Sequence, residues 1–358
     1  MARPTRVEID RTALVHNFLK IRESAPDKTI IAMVKANAYG CGLSTIVPTL
    51  EGRVDAFGVA CIEEGLAIRR LGSRTDCILF QGIFEPDELN LLSQFNLQCV
   101  IHQKQQLQWL LATPQPKALK VWVKIDTGMH RLGFHPREVV EVIQTLRRCK
   151  WINEDIGLMS HLANADKPQH ANNSAQLNLF QHTAEQLSGQ LVLSMANSAA
   201  ILALPETHLD AVRPGIMLYG ISPFPEYTGI GLGLKPVMRF TSALSAIHHY
   251  PPSSPIGYGS TWQSSDASII GVVPVGYADG YPRHISCAHV WVNHFFAPVV
   301  GRISMDMLTV DLTHCPGVKD GDEVELWGNH MPIETIAQSA GTIAYELLAQ
   351  MTNRPRTE

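Results

Sequence analysis

No apolar run among the 358 residues approaches the length needed to cross a bilayer, and the opening MARPTRVEID has no hydrophobic centre of the kind that directs secretion. A cytoplasmic protein is expected. Paired cysteines are missing too: the seven are scattered from Cys41 to Cys315 without a CxxC. That odd, unpaired set argues against a disulfide framework and a thiolate zinc site, and leaves buried, inert thiols as the expectation. The 15 histidines include no HExxH and no helical ligand pair, so metal catalysis is not expected, and His248 and His249 read as solvent-facing strand residues. No basic block or charged tail occurs. With 17% charged residues and a formal net charge of -4, nothing offers broad attraction to nucleic acid or anionic lipid. The run GIGLG from Gly229 follows FPEYT rather than an apolar strand, so it reads as a flexible linker and not as a nucleotide loop.

What is present is a core-forming chain, 45% apolar and long enough for one large barrel plus a smaller domain. From Thr29, short apolar runs alternate with helix-like stretches: TIIAMV, AFGVAC, CILFQG, LQCVIH, KVWVKID, IGLMSH, LVLSMAN and HLDAV. Eight such strands joined by crossover helices predict a closed (β/α)8 TIM-type barrel in the α/β class. Between them, Pro136 to Arg148 reads as an amphipathic helix with Val139, Val140, Ile143 and Leu146 on one face. A Gly- and Pro-rich connector from Ser222 to Pro236 is followed by β-rich sequence, including SIIGVVPV, HVWVN, APVVGRI and DEVELWG, with two short helices around Ile333 and Tyr345. The expected organisation is a barrel over residues 11–235 and a mainly β domain over 236–358, with residues 1–10 forming a strand associated with the latter.

One stretch points to chemistry. In AMVKANAYG, Lys35 follows an apolar strand and precedes turn-forming Asn37 and Gly40, at the strand end where barrel enzymes keep their active sites. An amine desolvated there has a lowered pKa, and its neutral form condenses with an aldehyde to give a Schiff base, pyridoxal phosphate being the leading candidate. A lysine snorkelling into solvent would leave the same local pattern.

Several further motifs stand in order along the chain: VWVKIDTGMHRLGF, SMANSAA, RPGIMLYG, IGYGSTW, VPVGYADGYPR and GRISMDM. Together with AMVKANAYG they make the chain resemble, over its whole length, the alanine racemases, fold-type III pyridoxal-phosphate enzymes. The resemblance implies interconversion of L- and D-alanine, with Lys35 binding the cofactor and acting as one base and Tyr258 as the other. Two bases are needed because inversion removes a proton from one face of Cα and delivers one to the other. A tyrosine of ordinary pKa, roughly 10, would need nearby positive charge, for which His161 and Arg213 are the candidates. Taken alone, His161 would be a satisfied core histidine, and Arg213 could bind any anion.

By the same resemblance, Arg213 hydrogen-bonds the pyridine nitrogen, where its fixed proton would keep that nitrogen unprotonated. Tyr39, Ser198, Gly215, Ile216 and Tyr345 contact the phosphate, with Asn197 beside them where strand turns into helix. The plain readings of those residues are a helix cap in ANS and a core or interface tyrosine in AYELL. Arg131 contacts cofactor and substrate carboxylate, Met305 completes carboxylate binding through its backbone N–H, and Tyr277 narrows the entrance. Ser304 stands where many relatives have cysteine, which leaves that backbone donor in place. Lys124, on the same strand as Arg131, matches a position often carbamylated, where the added negative charge orients the arginine.

The resemblance further implies a homodimer in which Tyr258 and Met305 complete the neighbour's site, and a role in supplying D-alanine for peptidoglycan. A broader amino-acid racemase would share Lys35 and Tyr258 and differ in pocket and gate. A decarboxylase is disfavoured by Arg213, and a non-catalytic cofactor carrier would need no second base.

Overall fold

The structure, a computed structural model, describes residues 3–357. It divides into two compact units: Val15–Ala38 with Gly42–Leu218, and the residues up to Leu14 with Tyr39–Cys41 and those from Tyr219 onward.

Chain order begins with β1 (Arg6–Ile9) and α1 (Arg11–Ser24). Next come β2 (Thr29–Met33), α2 (Lys35–Tyr39), α3 (Leu43–Leu50), β3 (Ala56–Val59), α4 (Ile62–Arg70), β4 (Asp76–Leu79) and α5 (Glu88–Phe95). They are followed by β5 (Gln98–Ile101), α6 (Lys104–Ala112), β6 (Val121–Lys124), α7 (Pro136–Arg147), β7 (Ile156–Met159), α8 (Ala171–Glu185), β8 (Leu191–Ser194), α9 (Ser198–Ala203) and β9 (Ala211–Val212). Strands β2 to β9 pair in parallel and in order, and the barrel closes where Thr29 meets Ala211 and Ile30 meets Val212. The eight expected strands are these eight. Covered on both faces, parallel strands are written as continuous apolar runs rather than as alternation.

Ile31, Ala56, Ile78, Val100, Trp122, Met159 and Ala211 form one buried cluster on these strands. Trp122 is its largest member; its Nε1 donates to Gln98 Oε1 at 2.9 Å, and Gln98 Nε2 donates to Asp76 Oδ2 at 2.7 Å. The neighbouring β7 accommodates the indole with Gly157, where an added Cβ would fall 2.1 Å from two indole carbons. In α7 the core face is Val139, Val142, Ile143 and Leu146. Val140, expected there, is only half-buried because at 100° per residue it turns off the stripe that Val142 joins.

The second unit contains a nine-stranded sheet in the order β11-β14-β17-β16-β15-β18-β10-β1-β19. Its later strands are β10 (Met238–Ala243), β11 (Ala246–Tyr250), β14 (Ser268–Val273), β15 (His289–Val292), β16 (Phe295–Val300), β17 (Leu308–Asp311), β18 (Glu323–Trp327) and β19 (Arg356–Thr357). A small hairpin, β12 (Pro255–Ile256) with β13 (Trp262–Gln263), stands apart from it. Helices α10 (Ile333–Ser339) and α11 (Ala344–Ala349) follow β18. Strand β1 pairs antiparallel with β10 and parallel with β19. On this sheet Arg239 is bracketed by Glu8, Glu323 and Glu325, a cross-strand charge cluster.

Four cysteines are buried, Cys61 and Cys149 are half-buried, and Cys287 is exposed, contrary to the expectation of uniformly buried thiols. Cys287 sits in the loop before β15 at a left-handed φ of 57°, outside any packed element. Among the described residues no helix is long and apolar enough to cross a membrane.

Candidate active site

Lys35 lies two residues beyond β2 and opens α2, whose single turn is wound in the left-handed sense. Ala36 has φ 52° and ψ 52°, Asn37 52° and 48°, Ala38 54° and 53°, and Tyr39 follows at φ 53°. Left-handed geometry costs an L residue roughly 1–2 kcal/mol, so a run of four needs compensation. Part of it is local: Ala38 N–H donates to Val34 O at 2.9 Å, Gly42 N–H to Asn37 O at 2.9 Å, and Leu43 N–H to Asn37 Oδ1 at 3.0 Å. Lys35 is exposed rather than stranded in an apolar interior, because the strand ends before it. Its pKa is nonetheless lowered, first by partial desolvation in the barrel mouth and then by Arg131, against an opposing pull from Glu64.

Lys124 is the last residue of β6 and is buried. Burial comes first, then Arg213, Arg131 and Lys35, in bringing its pKa down to about 8. Arg131 is not on that strand as expected; it stands in the loop between β6 and α7, where Gly128, His130 and Gly133 take positive φ and break the extended run. Asp126 organises this loop by accepting from the N–H groups of Gly128, Met129 and His130 at 3.0, 3.1 and 3.0 Å.

Arg213, just past β9 and 4% exposed, donates from Nη1 to Ser194 Oγ at 2.6 Å, and from Nη2 to Ser160 O at 2.6 Å and Met195 O at 3.0 Å. None of these acceptors is a carboxylate. Burial lowers its pKa to about 10, which still leaves the guanidinium charged at neutral pH. A fourth contact reaches His161 Nδ1 at 3.4 Å. His161 is half-buried just past β7, and desolvation followed by Arg213, Lys124, Arg131 and Lys35 holds its pKa well below 6.5. It is therefore a neutral ring, able to accept from Arg213.

Gln176, on α8 and 2% exposed, escaped the sequence reading because nothing local marks it. Its Nε2 donates to His161 O at 3.0 Å and Thr127 Oγ1 at 3.3 Å, and its Oε1 accepts from Ala163 N–H at 2.9 Å. It thus ties the His161 segment to the loop that bears Arg131.

Asn197 caps α9, its Oδ1 accepting from Ala200 N–H at 3.1 Å. Ser198 opens the helix, and its Oγ accepts from the N–H of Gly215 at 2.8 Å and Met217 at 3.4 Å, joining the segments after β8 and β9. Ile216 begins the short 3-10 turn Ile216–Tyr219.

The other unit holds the remaining predicted residues. The rings of Tyr39 and Tyr219 stack at 4.7 Å between centroids, with Tyr345 6.2 Å from Tyr39. Burial raises the Tyr39 hydroxyl pKa, so it is a proton-bearing donor. Tyr258 lies in the turn between β12 and β13, 70% exposed. Tyr277 and Met305 share one structure, since Tyr277 N–H donates to Ser304 O at 3.2 Å and Ala278 N–H to Met305 O at 3.0 Å. Gly276 permits that approach: a Cβ there would be 2.3 Å from Ser304 O and Met305 O. Beneath lies fully buried Asp279, gripped by Arg3 in a fork at 2.6 and 2.5 Å, a pairing with no signal in the sequence.

Around Lys35 the barrel thus gathers an amine of lowered pKa, two guanidinium groups, a second lysine and a neutral imidazole. Such a set attracts small anions and can condense an amine with a carbonyl.

Family models match in two consecutive parts: "Alanine racemase, N-terminal domain" over residues 9–223 and "Alanine racemase, C-terminal domain" over 237–358. Alanine racemase of Legionella pneumophila (strain Corby) is 55% identical over 357 residues, covering 99% of both chains. That of Nitrosococcus oceani is 47% identical over 351 residues and 98% of each. The solved structure of alanine racemase from Acinetobacter baumannii superposes with a TM-score of 0.95 at 43% identity, covering 100% of this chain and 99% of that one. The biosynthetic alanine racemase of Pseudomonas aeruginosa gives 0.96 at 39% identity with the same coverage.

Proposed function

The chain belongs to the alanine racemase family and is an isomerase, and from that premise we propose that it interconverts L- and D-alanine by a two-base mechanism with pyridoxal 5'-phosphate bound at the barrel mouth. The family depends on this cofactor, which when bound supplies the electron sink that acidifies the substrate Cα–H. The residues present suit it. The positive charge of Arg131 and Arg213 complements a phosphorylated cofactor and a carboxylate substrate, and Lys35 is the amine that can hold an aldehyde covalently.

In this reading Lys35 and Tyr258 each exchange a proton at Cα. Arg213 donates to the ring nitrogen and His161 lies beside it. Tyr39, Ser198, Gly215, Ile216 and Tyr345 hold the phosphate, with Asn197 next to them. Arg131 and the backbone N–H of Met305 orient the substrate carboxylate, and Tyr277 restricts the entrance. A carbamate on Lys124 turns repulsion of Arg131 into attraction. Two copies associate so that Tyr258 and Met305 serve the neighbour's site, and the D-alanine feeds peptidoglycan synthesis in the cytoplasm.

The observation that carries this reading is the Arg213 guanidinium, buried at the strand ends with no carboxylate among its acceptors. The test is an absorption spectrum of the purified protein before and after borohydride, with mapping of the reduced adduct. Tyr258→Phe keeps the colour and the Lys35 adduct but loses racemisation. Colourless protein that takes no label at Lys35, or full activity in Tyr258→Phe, overturns it. Relative rates with alanine, serine and lysine fix the substrate range.

A further inference from the structure

The left-handed turn that carries Lys35 is tied to its surroundings at its first amide. Ala36 N–H donates to Glu64 Oε1 at 2.6 Å, while the other oxygen of the same carboxylate accepts from Ala60 N–H at 2.7 Å. Glu64 belongs to the first turn of α4, which follows β3, so one side chain clips the end of β2 to the end of β3. Charge-assisted bonds of this kind are worth more than neutral ones and offset part of the strain of four successive non-glycine residues at positive φ. A carboxylate in the first turn of a helix is also favoured by the exposed N–H groups there.

We propose that Glu64 is the positioning residue for Lys35: its carboxylate, bonded to the Ala36 and Ala60 N–H groups, locks the strained turn so that the amine is held at the point of cofactor attachment. The charged and titratable groups gathered around Lys35 are Arg131 from the loop after β6, Lys124 at the end of β6, His161 after β7, Arg213 after β9, and Glu64 from α4. Glu64 is the one anion in that set. Removing it lets the cations dominate and shifts Lys35 toward the neutral amine at lower pH.

The inference rests on Lys35 being the attachment lysine, and the experiment separates the two. Full-length protein freed of cofactor is mixed with pyridoxal 5'-phosphate, attachment is followed by absorbance across pH, and the borohydride-fixed lysine is mapped. Labelling of Lys35 in the wild type secures the underlying reading whatever the variants do. Glu64→Ala should then attach cofactor about tenfold more slowly at the wild-type optimum, with the acid limb of its attachment profile moved to lower pH. Glu64→Gln, which keeps one acceptor but no charge, should show the same shift of the limb with a smaller loss of rate. Ala36 is exposed at φ 52°, so Ala36→Gly eases the turn without removing buried contacts. It should recover much of the Glu64→Ala rate while leaving the shifted limb unchanged. Wild-type rates and an unmoved limb in both Glu64 variants, with Lys35 still labelled, overturn the proposal. Slow attachment that Ala36→Gly does not relieve overturns the strain component.

Discussion

Replacing Lys124 with methionine removes a cation from a site already crowded by Arg131, Arg213 and Lys35. The unfolded chain holds this lysine at its ordinary pKa of 10.5, while burial and the three cations bring it down to about 8 in the fold. The depressed value means that the folded state binds the proton less well than the unfolded one. Stability is therefore lowest below pH 8 and rises as pH climbs from about 8 toward 10.5. At 1.36 kcal/mol per tenfold change, the penalty at pH 7 is about 3 kcal/mol and falls to about 1 kcal/mol by pH 9.5. Lys124→Met keeps a flexible apolar stem of similar length, so it should stabilise the protein at pH 7 by up to about 3 kcal/mol, the advantage shrinking as pH rises.

The same depression prepares the lysine for carbon dioxide. At pH 8 about half the amine is neutral, against roughly 0.3% for an unperturbed lysine. A carbamate formed there, with release of one proton, would exchange a repelled cation for an anion facing Arg131. Denaturant titrations of wild type and Lys124→Met, from pH 7 to 9.5 with and without bicarbonate, read both effects. Bicarbonate should stabilise only the wild type, and intact mass should show the adduct. Equal pH slopes for the two proteins in carbonate-free buffer would refute the electrostatic argument, and absence of adduct would remove the carbamate.

Three other outcomes follow from the geometry. Gly157→Ala should destabilise by about 2–4 kcal/mol, because its Cβ drives Trp122 from its place and from Gln98; in a Trp122→Leu background most of that cost should vanish in a double-mutant cycle, and equal costs in both would sink the steric account. His161 is neutral in the fold and gains a proton below about 6.5 when unfolded, so wild-type stability should fall on acidification from pH 7 to 5 more steeply than that of His161→Gln, as measured by urea midpoints. Asp279→Asn should cost about 2–3 kcal/mol in a melt and raise KM for alanine more than it lowers kcat, since Asp279 holds the segment of Tyr277 and Met305.

The barrel was legible because strands covered on both faces need apolar side chains at nearly every position, and that demand is written locally at each strand. The candidate residues could be named motif by motif only because the resemblance supplied what no single run of residues could. Val140 shows where local reading loosens: beside Val139 it reads as part of the apolar face, whereas the buried stripe runs through Val142. The left-handed turn was out of reach for a different reason. Only Asn37 in Ala36–Tyr39 has a side chain that tolerates positive φ easily, so the sequence there favours ordinary backbone. The turn persists through contacts outside itself, and one of them comes from Glu64, 28 residues later. Such strain is specified by pairs of positions distant in sequence, so its signature is a dependence of one residue's effect on the other. A change at Ala36 should matter little alone and much once Glu64 is gone.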